Sequence, residues 1–321
     1  KLPACQATLK FEGGQYHRVI KSLHLSRPED YFSIYQSGCN QNCLKCHSWE
    51  FSKHFNGEWY STDKIAELCK DYENHVTVFE PRERSLMYYA NDLCKHCGSC
   101  ILFKKRSPLC PNKVSKDKIV LSPQGFGPAR NIVAFTGGDI ACQAEFYAEV
   151  TKKIKQRCDN LWVLLESNGY GLTSKNLDLF QKADLDSYWL DIKAYDDETY
   201  KKLCGVSNRT VLQSVKEIIE RNFVLEILTV FIPNFVEVDQ FEKIAQLICE
   251  VDETIPFHIL PFFPQYKLMT YRSPTLNEII ETYFTVKDVG LKNIQIGNVG
   301  VFAKSDEQIK ELIKFVGKDA F

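Results

Sequence analysis

From Asn131 onward, short apolar runs alternate with longer stretches whose apolar residues recur every three or four positions. The runs Asn131–Phe135, Leu161–Leu165, Tyr188–Ile192, Val224–Phe231, Pro256–Leu260 and Ile294–Ile296 have strand length. The stretches Gln143–Gln156, Ser174–Lys182, Thr210–Arg221, Val238–Val251, Leu276–Val286 and Asp306–Val316 have helix period, with Ser174 and Asn208 as candidate N-caps. Upstream, Tyr31–Gln36 reads as another strand and Ser61–Tyr72 as a capped amphipathic helix. Strand–helix alternation predicts a parallel sheet with right-handed crossovers. Six or seven such units predict a partial or complete (β/α) barrel, where function collects at the carboxyl ends of the strands.

The rhythm breaks between residues 79 and 127, a basic, cysteine-rich stretch with turn-formers at Ser107-Pro108 and Pro123-Gln124-Gly125. It reads as an insertion into a core spanning 31–299, with an N-terminal extension at 1–30 and a C-terminal helix in 300–321. A chain of 321 residues with 44% hydrophobic content can bury a large α/β core. Forty basic against forty-one acidic residues give no global positive field, which argues against a nucleic-acid partner. No apolar run reaches the roughly 18 residues of a membrane span, and Lys1–Glu12 has no signal-peptide core. The expected location is cytoplasmic.

Thirteen cysteines change the picture. An odd number without a secretory signal does not suit a disulfide framework. Six are scattered and read as small buried hydrophobes, whereas seven fall in two tight groups, the pattern of metal ligation. In the first group, Cys39, Cys43 and Cys46 follow a strand as CxxxCxxC. Three thiolates can hold three irons of a 4Fe–4S cubane and leave the fourth without a protein ligand, the open position that a catalytic metal needs. The alternative is a three-cysteine zinc loop completed by His47 or His54.

This triplet resembles the signature of the radical S-adenosylmethionine (SAM) superfamily. The resemblance implies that the amino and carboxylate groups of SAM chelate the open iron. Reductive cleavage then gives a 5′-deoxyadenosyl radical that abstracts a hydrogen atom from a C–H bond. Thr136-Gly137-Gly138-Asp139 is similar to the superfamily's Gly-Gly-Glu segment, which binds the SAM amino group. The stretch from Asp191-Ile-Lys193 to Cys204-Gly205 resembles the glycyl-radical-enzyme activating enzymes, as do Phe231-Ile-Pro233, Pro256–Lys267 and Gly290–Val299. The similarity runs from about Tyr31 to Val299, insertion excepted. It implies a partial (β/α)6-type radical SAM barrel with a cysteine-rich insertion. It also carries Glu166 and Ser167 to the SAM ribose and carboxylate, Asp191 to a monovalent-cation site and Lys193 to a SAM contact. On the residues alone, the Asp–Lys pair could equally cap the barrel rim. Four departures stand out: Lys45 where an aromatic residue usually packs on adenine, Phe263 in place of a histidine, Leu228 in place of an arginine, and Glu166 one methylene longer than the usual aspartate.

The second group, Cys94, Cys97, Cys100 and Cys110-Pro111, resembles half of a bacterial ferredoxin with a stretched last gap. Four thiolates can close an auxiliary 4Fe–4S cluster, a mononuclear tetrathiolate iron or a structural zinc site. His96 is expected to face solvent. The run Lys104-Lys105-Arg106 reads as a solvated loop, or as a dock for an acidic partner.

By resemblance, the substrate is a protein or peptide, reached through the side of an incomplete barrel, and the electron comes from a reductant such as ferredoxin or flavodoxin. The leading expectation is an activase-like enzyme. The alternative is a cobalamin-dependent C-methyltransferase acting on a peptidyl residue, for example an arginine or glutamine of methyl-coenzyme M reductase, although no histidine lies in a cobalamin-binding Asp-x-His-x-x-Gly. A third class, an electron carrier or scaffold, leaves the glycine and Asp-x-Lys motifs without a role.

Overall fold

In the computed structural model, which describes residues 2–321, the apolar runs become strands of one continuous sheet. Its strands are β1 (Leu9–Glu12), β2 (Gln15–Leu25), β3 (Phe32–Gln36), β4 (Glu58–Ser61), β7 (Ile132–Gly137), β8 (Trp162–Ser167), β9 (Ser187–Asp191), β10 (Val224–Phe231), β11 (Phe257–Pro261) and β12 (Ile294–Ile296). A separate hairpin, β5 (Val120–Ser122) and β6 (Gly125–Gly127), lies within the insertion. Strands β3, β7, β8, β9, β10, β11 and β12 lie side by side and all parallel. β12 does not pair back to β3, so the barrel is partial.

Period-two alternation sorts the side chains to two faces. Val133, Phe135, Val163, Leu165, Tyr188 and Leu190 join the large core beneath the helices. Ile132, Ala134 and Leu164, with Trp189 against them, face the interior alongside Tyr31 and Met87. The crossover helices bury one stripe each: in Arg209–Glu220 it is Val211, Ser214, Val215 and Ile218. Two cap expectations change. Thr173, not Ser174, caps helix Ser174–Lys182 by accepting from the Asn176 amide. Asn208 makes no cap bond, because its amide donates to the carbonyls of Ala194 and Tyr195.

The segment 1–30 is more than an extension. β2 pairs antiparallel with β3, from Ile20↔Gln36 to Leu25↔Phe32, takes β1 on that same edge at Gln15–Arg18, and carries β4 on its other edge at His17–Ile20. The insertion is also built into the body. Glu226, early in β10, accepts from the Met87 and Tyr88 amides at 2.6 and 2.9 Å and meets His258 Nε2 at 2.9 Å. Ser187 donates to the Ser85 carbonyl, and the fully buried Arg130 pairs with Glu80 and donates to the carbonyls of Leu86 and Arg84. These contacts lie at the amino-terminal ends of β9, β10 and β11, so the insertion closes that end and leaves the carboxyl ends open. Among the described residues, no helix is long and apolar enough to cross a membrane.

Candidate active site

The first cysteine loop leaves the end of β3 and is held by its backbone. The amides of Asn40, Asn42 and Leu44 donate to the carbonyls of Asp139 (2.8 Å), Cys204 (3.0 Å) and Leu203 (2.8 Å). Arg18, fully buried on β2, donates to the carbonyls of Gly38 (3.1 Å) and Gly138 (3.2 Å) and ties the loop to the glycine turn after β7. A Cβ at Gly138 would collide with the Gly38 carbonyl oxygen, so this glycine is required by the contact between the two turns. Gly137 has φ +87° and would place a Cβ 2.7 Å from the Phe51 ring.

The loop roofs a cavity of about 530 Å³. Of the ten residues expected at the SAM site, nine line it: Cys39, Cys43, Cys46, Gly137, Asp139, Glu166, Ser167, Asp191 and Lys193. Gly138 alone lies outside, beneath the Gly38 turn. A slightly larger cavity, about 600 Å³, opens behind the loop against the N-terminal segment. It touches only Cys39 of the ten.

The acidic groups have distinct surroundings. Asp139 accepts from the Ala141 amide at 2.6 Å and from Ser167 Oγ and the Asn168 amide at 2.8 Å each, while burial raises its pKa. Its carboxylate therefore braces the end of β8. Glu166 accepts from Tyr31 Oη at 3.0 Å and from Thr136 Oγ1, and burial lifts its carboxyl to about 8. Asp191 and Lys193 form an ion pair; burial disfavours the Lys193 ammonium, but Asp191 and nearby thiols outweigh it and raise its pKa. Asp191 Oδ1 has no partner and faces the same cavity.

Two of the departures meet. The Lys45 Nζ stands 5.5 Å from the centre of the Phe263 ring, and burial, with Lys193 nearby, pulls its pKa down to about 8. Leu228 lines the opposite wall. Arg18 and Cys204 escaped the sequence reading. Cys204 is fully buried, as a scattered cysteine should be, yet it sits against Cys43, whose thiol is pulled down to about 7 by this hydrogen bond, with Lys193 and Lys53 adding to it. The Asn42–Cys204 backbone bond fixes that contact, and no spacing rule reveals it.

In the second group, Cys94, Cys97, Cys100 and Cys110 line one small cleft with Arg106, Val114 and Phe126. Arg106 donates to Cys110 Sγ at 3.3 Å, and the His96 amide donates to Cys94 Sγ at 3.3 Å. His96 does not face solvent: its side chain is 15% exposed, and Nε2 lies 2.9 Å from Asp30, which also pairs with Arg27 at 2.7 Å. Arg27 lines the cavity under the first cysteine loop, so the second group abuts it through three side chains. Among the described residues, no three His, Cys, Asp or Glu side chains are drawn in around a point where a single ion could sit.

The comparisons with known proteins agree with this arrangement. Residues 90–248 match the model of the radical SAM superfamily. The chain carries a radical SAM domain. The matched span begins beyond the first cysteine loop and takes in β7 through β10, with the glycine turn, Glu166 and Asp191. A Methanocaldococcus jannaschii protein named as a glycyl-radical enzyme activating enzyme is 29% identical over 236 residues, 71% of this chain and 84% of that one. The isethionate sulfite-lyase activating enzyme of Oleidesulfovibrio alaskensis is 22% identical over 257 residues, 71% of this chain and 77% of its own. Among solved structures, a domain of a pyruvate-formate lyase-activating enzyme from Bacteroides vulgatus covers 52% of this radical SAM chain and 98% of its own length, with 18% identity and a TM-score of 0.45. The protein is thus a radical SAM enzyme related to activating enzymes, and its family implies a 4Fe–4S cluster and SAM.

Proposed function

We propose that this chain abstracts a hydrogen atom from a protein or peptide, as an activase-like radical SAM enzyme. In this reading Cys39, Cys43 and Cys46 hold the SAM-binding 4Fe–4S cluster. Three thiols open on one cavity, while Cys204 lies behind the loop, which suits a cluster with one iron left for a cosubstrate. When bound, the cluster and SAM supply one-electron cleavage of a sulfonium C–S bond and removal of a hydrogen atom from an unactivated C–H bond.

The chain's own residues orient and exclude. The Gly137 turn lets backbone approach the cosubstrate. Asp139 fixes Ser167 and Asn168 at the rim, and Lys193, held by Asp191, presents its ammonium to the SAM carboxylate. Glu166, with Tyr31 and Thr136 on its oxygens, faces the ribose. Lys45 over Phe263 takes the place of the usual adenine-stacking aromatic. Cys94, Cys97, Cys100 and Cys110 would hold a second metal group closed by four thiolates, which as a 4Fe–4S cluster would supply electron relay from a ferredoxin- or flavodoxin-type reductant.

The observation that carries this reading is the convergence of nine residues from four separate segments on one cavity. The test is anaerobic SAM cleavage. Wild-type protein should form 5′-deoxyadenosine under reducing conditions and Cys43→Ala should form none; a Cys43→Ala variant that still cleaves SAM overturns the assignment. A cobalamin absorption band in the purified protein would redirect the reading to methyl transfer.

A further inference from the structure

The cavity under the first cysteine loop is electrically divided. Its cysteine end holds Lys45 and Lys193, and Asp191 pairs with Lys193. Away from the cysteine loop, toward the amino-terminal side of β3, the cavity is lined by Glu29, from the loop before β3, by Ser33 early in β3 and by Trp189 on β9; this is called its deep end. Each of the three deep residues has a buried polar atom without a partner: Glu29 Oε2, Ser33 Oγ and Trp189 Nε1. Ser33 is 1% exposed, and its hydroxyl finds no partner among the side chains around it. A buried polar atom left unpaired costs about 1–3 kcal/mol, more when charged, and three such atoms lining one cavity point to something that binds there.

The chemistry of that ligand follows from what is missing. The neighbouring cations are committed elsewhere: Arg27 and His96 to Asp30, Arg130 to Glu80, and His258 to Glu226. Among the described residues, neither Glu29 nor Glu166 has an ion-pair partner. Burial raises both carboxyls, Glu29 to about 7 with His96 and Arg27 opposing only in part, and Glu166 to about 8. Carboxylate and hydroxyl oxygens accept hydrogen bonds, while the indole N–H only donates. An ammonium or guanidinium group next to a carbonyl matches this set.

We propose that the deep end is a subsite for the cationic side chain of a peptide substrate, with Glu29 supplying the charge, Ser33 a second acceptor and Trp189 a donor to a nearby carbonyl. This rests on the functional reading above for what fills the cysteine end. The SAM ammonium is another cation of the same chemistry, so the test separates the two sources.

The experiment is calorimetric titration of the cluster-loaded full chain with N-acetyl-arginine amide, N-acetyl-lysine amide and the neutral N-acetyl-citrulline amide, with and without saturating SAM. One of the cationic amides should bind about tenfold tighter than the citrulline amide, whether SAM is present or not. Glu29→Gln should bring that ratio to about one, and Ser33→Ala should lower it about threefold if the glutamine variant does not fold. Equal binding of cationic and neutral amides, no binding, or an unchanged ratio in Glu29→Gln overturns the subsite. So does displacement by SAM, which would give the deep end to the cosubstrate. 5′-Deoxyadenosine formation by the wild type is measured in parallel. Its absence counts against the functional reading, whereas its presence without amide binding counts against the subsite alone.

Discussion

The two cysteine groups are set up in opposite ways. The first is a short loop pinned by backbone hydrogen bonds to the glycine turn and to the Leu203–Cys204 segment, with Arg18 bridging the turns from beneath. Its thiols open on a cavity large enough for a cosubstrate. The second is spread over an irregular insertion, and its thiols share a cleft with the side chains of Arg106 and Phe126. The first has three cysteines and a cavity; the second has four and a closed pocket. In sequence both read as clustered thiols, and the surroundings decide which one can meet a second molecule.

Cysteine substitution breaks the comparison most sharply. Cys43→Ala should eliminate SAM cleavage, whereas Cys97→Ala should lower iron per chain and leave SAM binding largely intact; iron content unchanged in Cys97→Ala would mean zinc or nothing at the second site. Next in size is Arg18→Met, which leaves the Gly38 and Gly138 carbonyls without their charged donor. It should cost about 3 kcal/mol by urea denaturation and weaken SAM affinity, while the second group keeps its iron. A variant as stable as wild type would show that the two turns hold without it.

A third effect is pH-dependent. Because burial raises Glu166 to about 8 from a usual value of 4.5, the fold favours its neutral form. That contribution is complete below the unfolded value and is lost as pH climbs through the folded one. Glu166→Gln should therefore gain on wild type between pH 5 and 8, by about 1 kcal/mol or more, seen as a Tm gap that widens with pH. A gap constant across that range would place the titration elsewhere. The smallest expected effect is at the seam between the two regions. Asp30→Asn weakens the contacts to His96 and Arg27 and should cost about 1–2 kcal/mol in thermal unfolding, with iron at the first cysteine group retained.

Much of the fold was legible because it rests on local periodicity. Val224–Phe231, Ile294–Ile296, Val238–Val251 and Asp306–Val316 coincide with their elements. What was hidden depends on distant partners. β1 and β2 have mixed faces and become strands only because β3 offers β2 an edge. His96 looked like a polar residue in a polar loop, and its place follows from Asp30, 66 positions away. The site motifs were readable because strand ends and glycine turns recur, and nine of ten residues converge. The deep end was not, since Glu29, Ser33 and Trp189 belong to no motif and are remote in sequence.

The β5–β6 hairpin adds one consequence. Gln124, at its tip, accepts from the Arg27 amide at 2.6 Å, and both residues wall the cavity under the first cysteine loop. The segment that bears the second cysteine group thus also forms part of the wall of the first group's cavity. A chimera that exchanges residues 79–127 with a relative would therefore change the wall of that cavity along with the second cysteine group, so the two are inherited together.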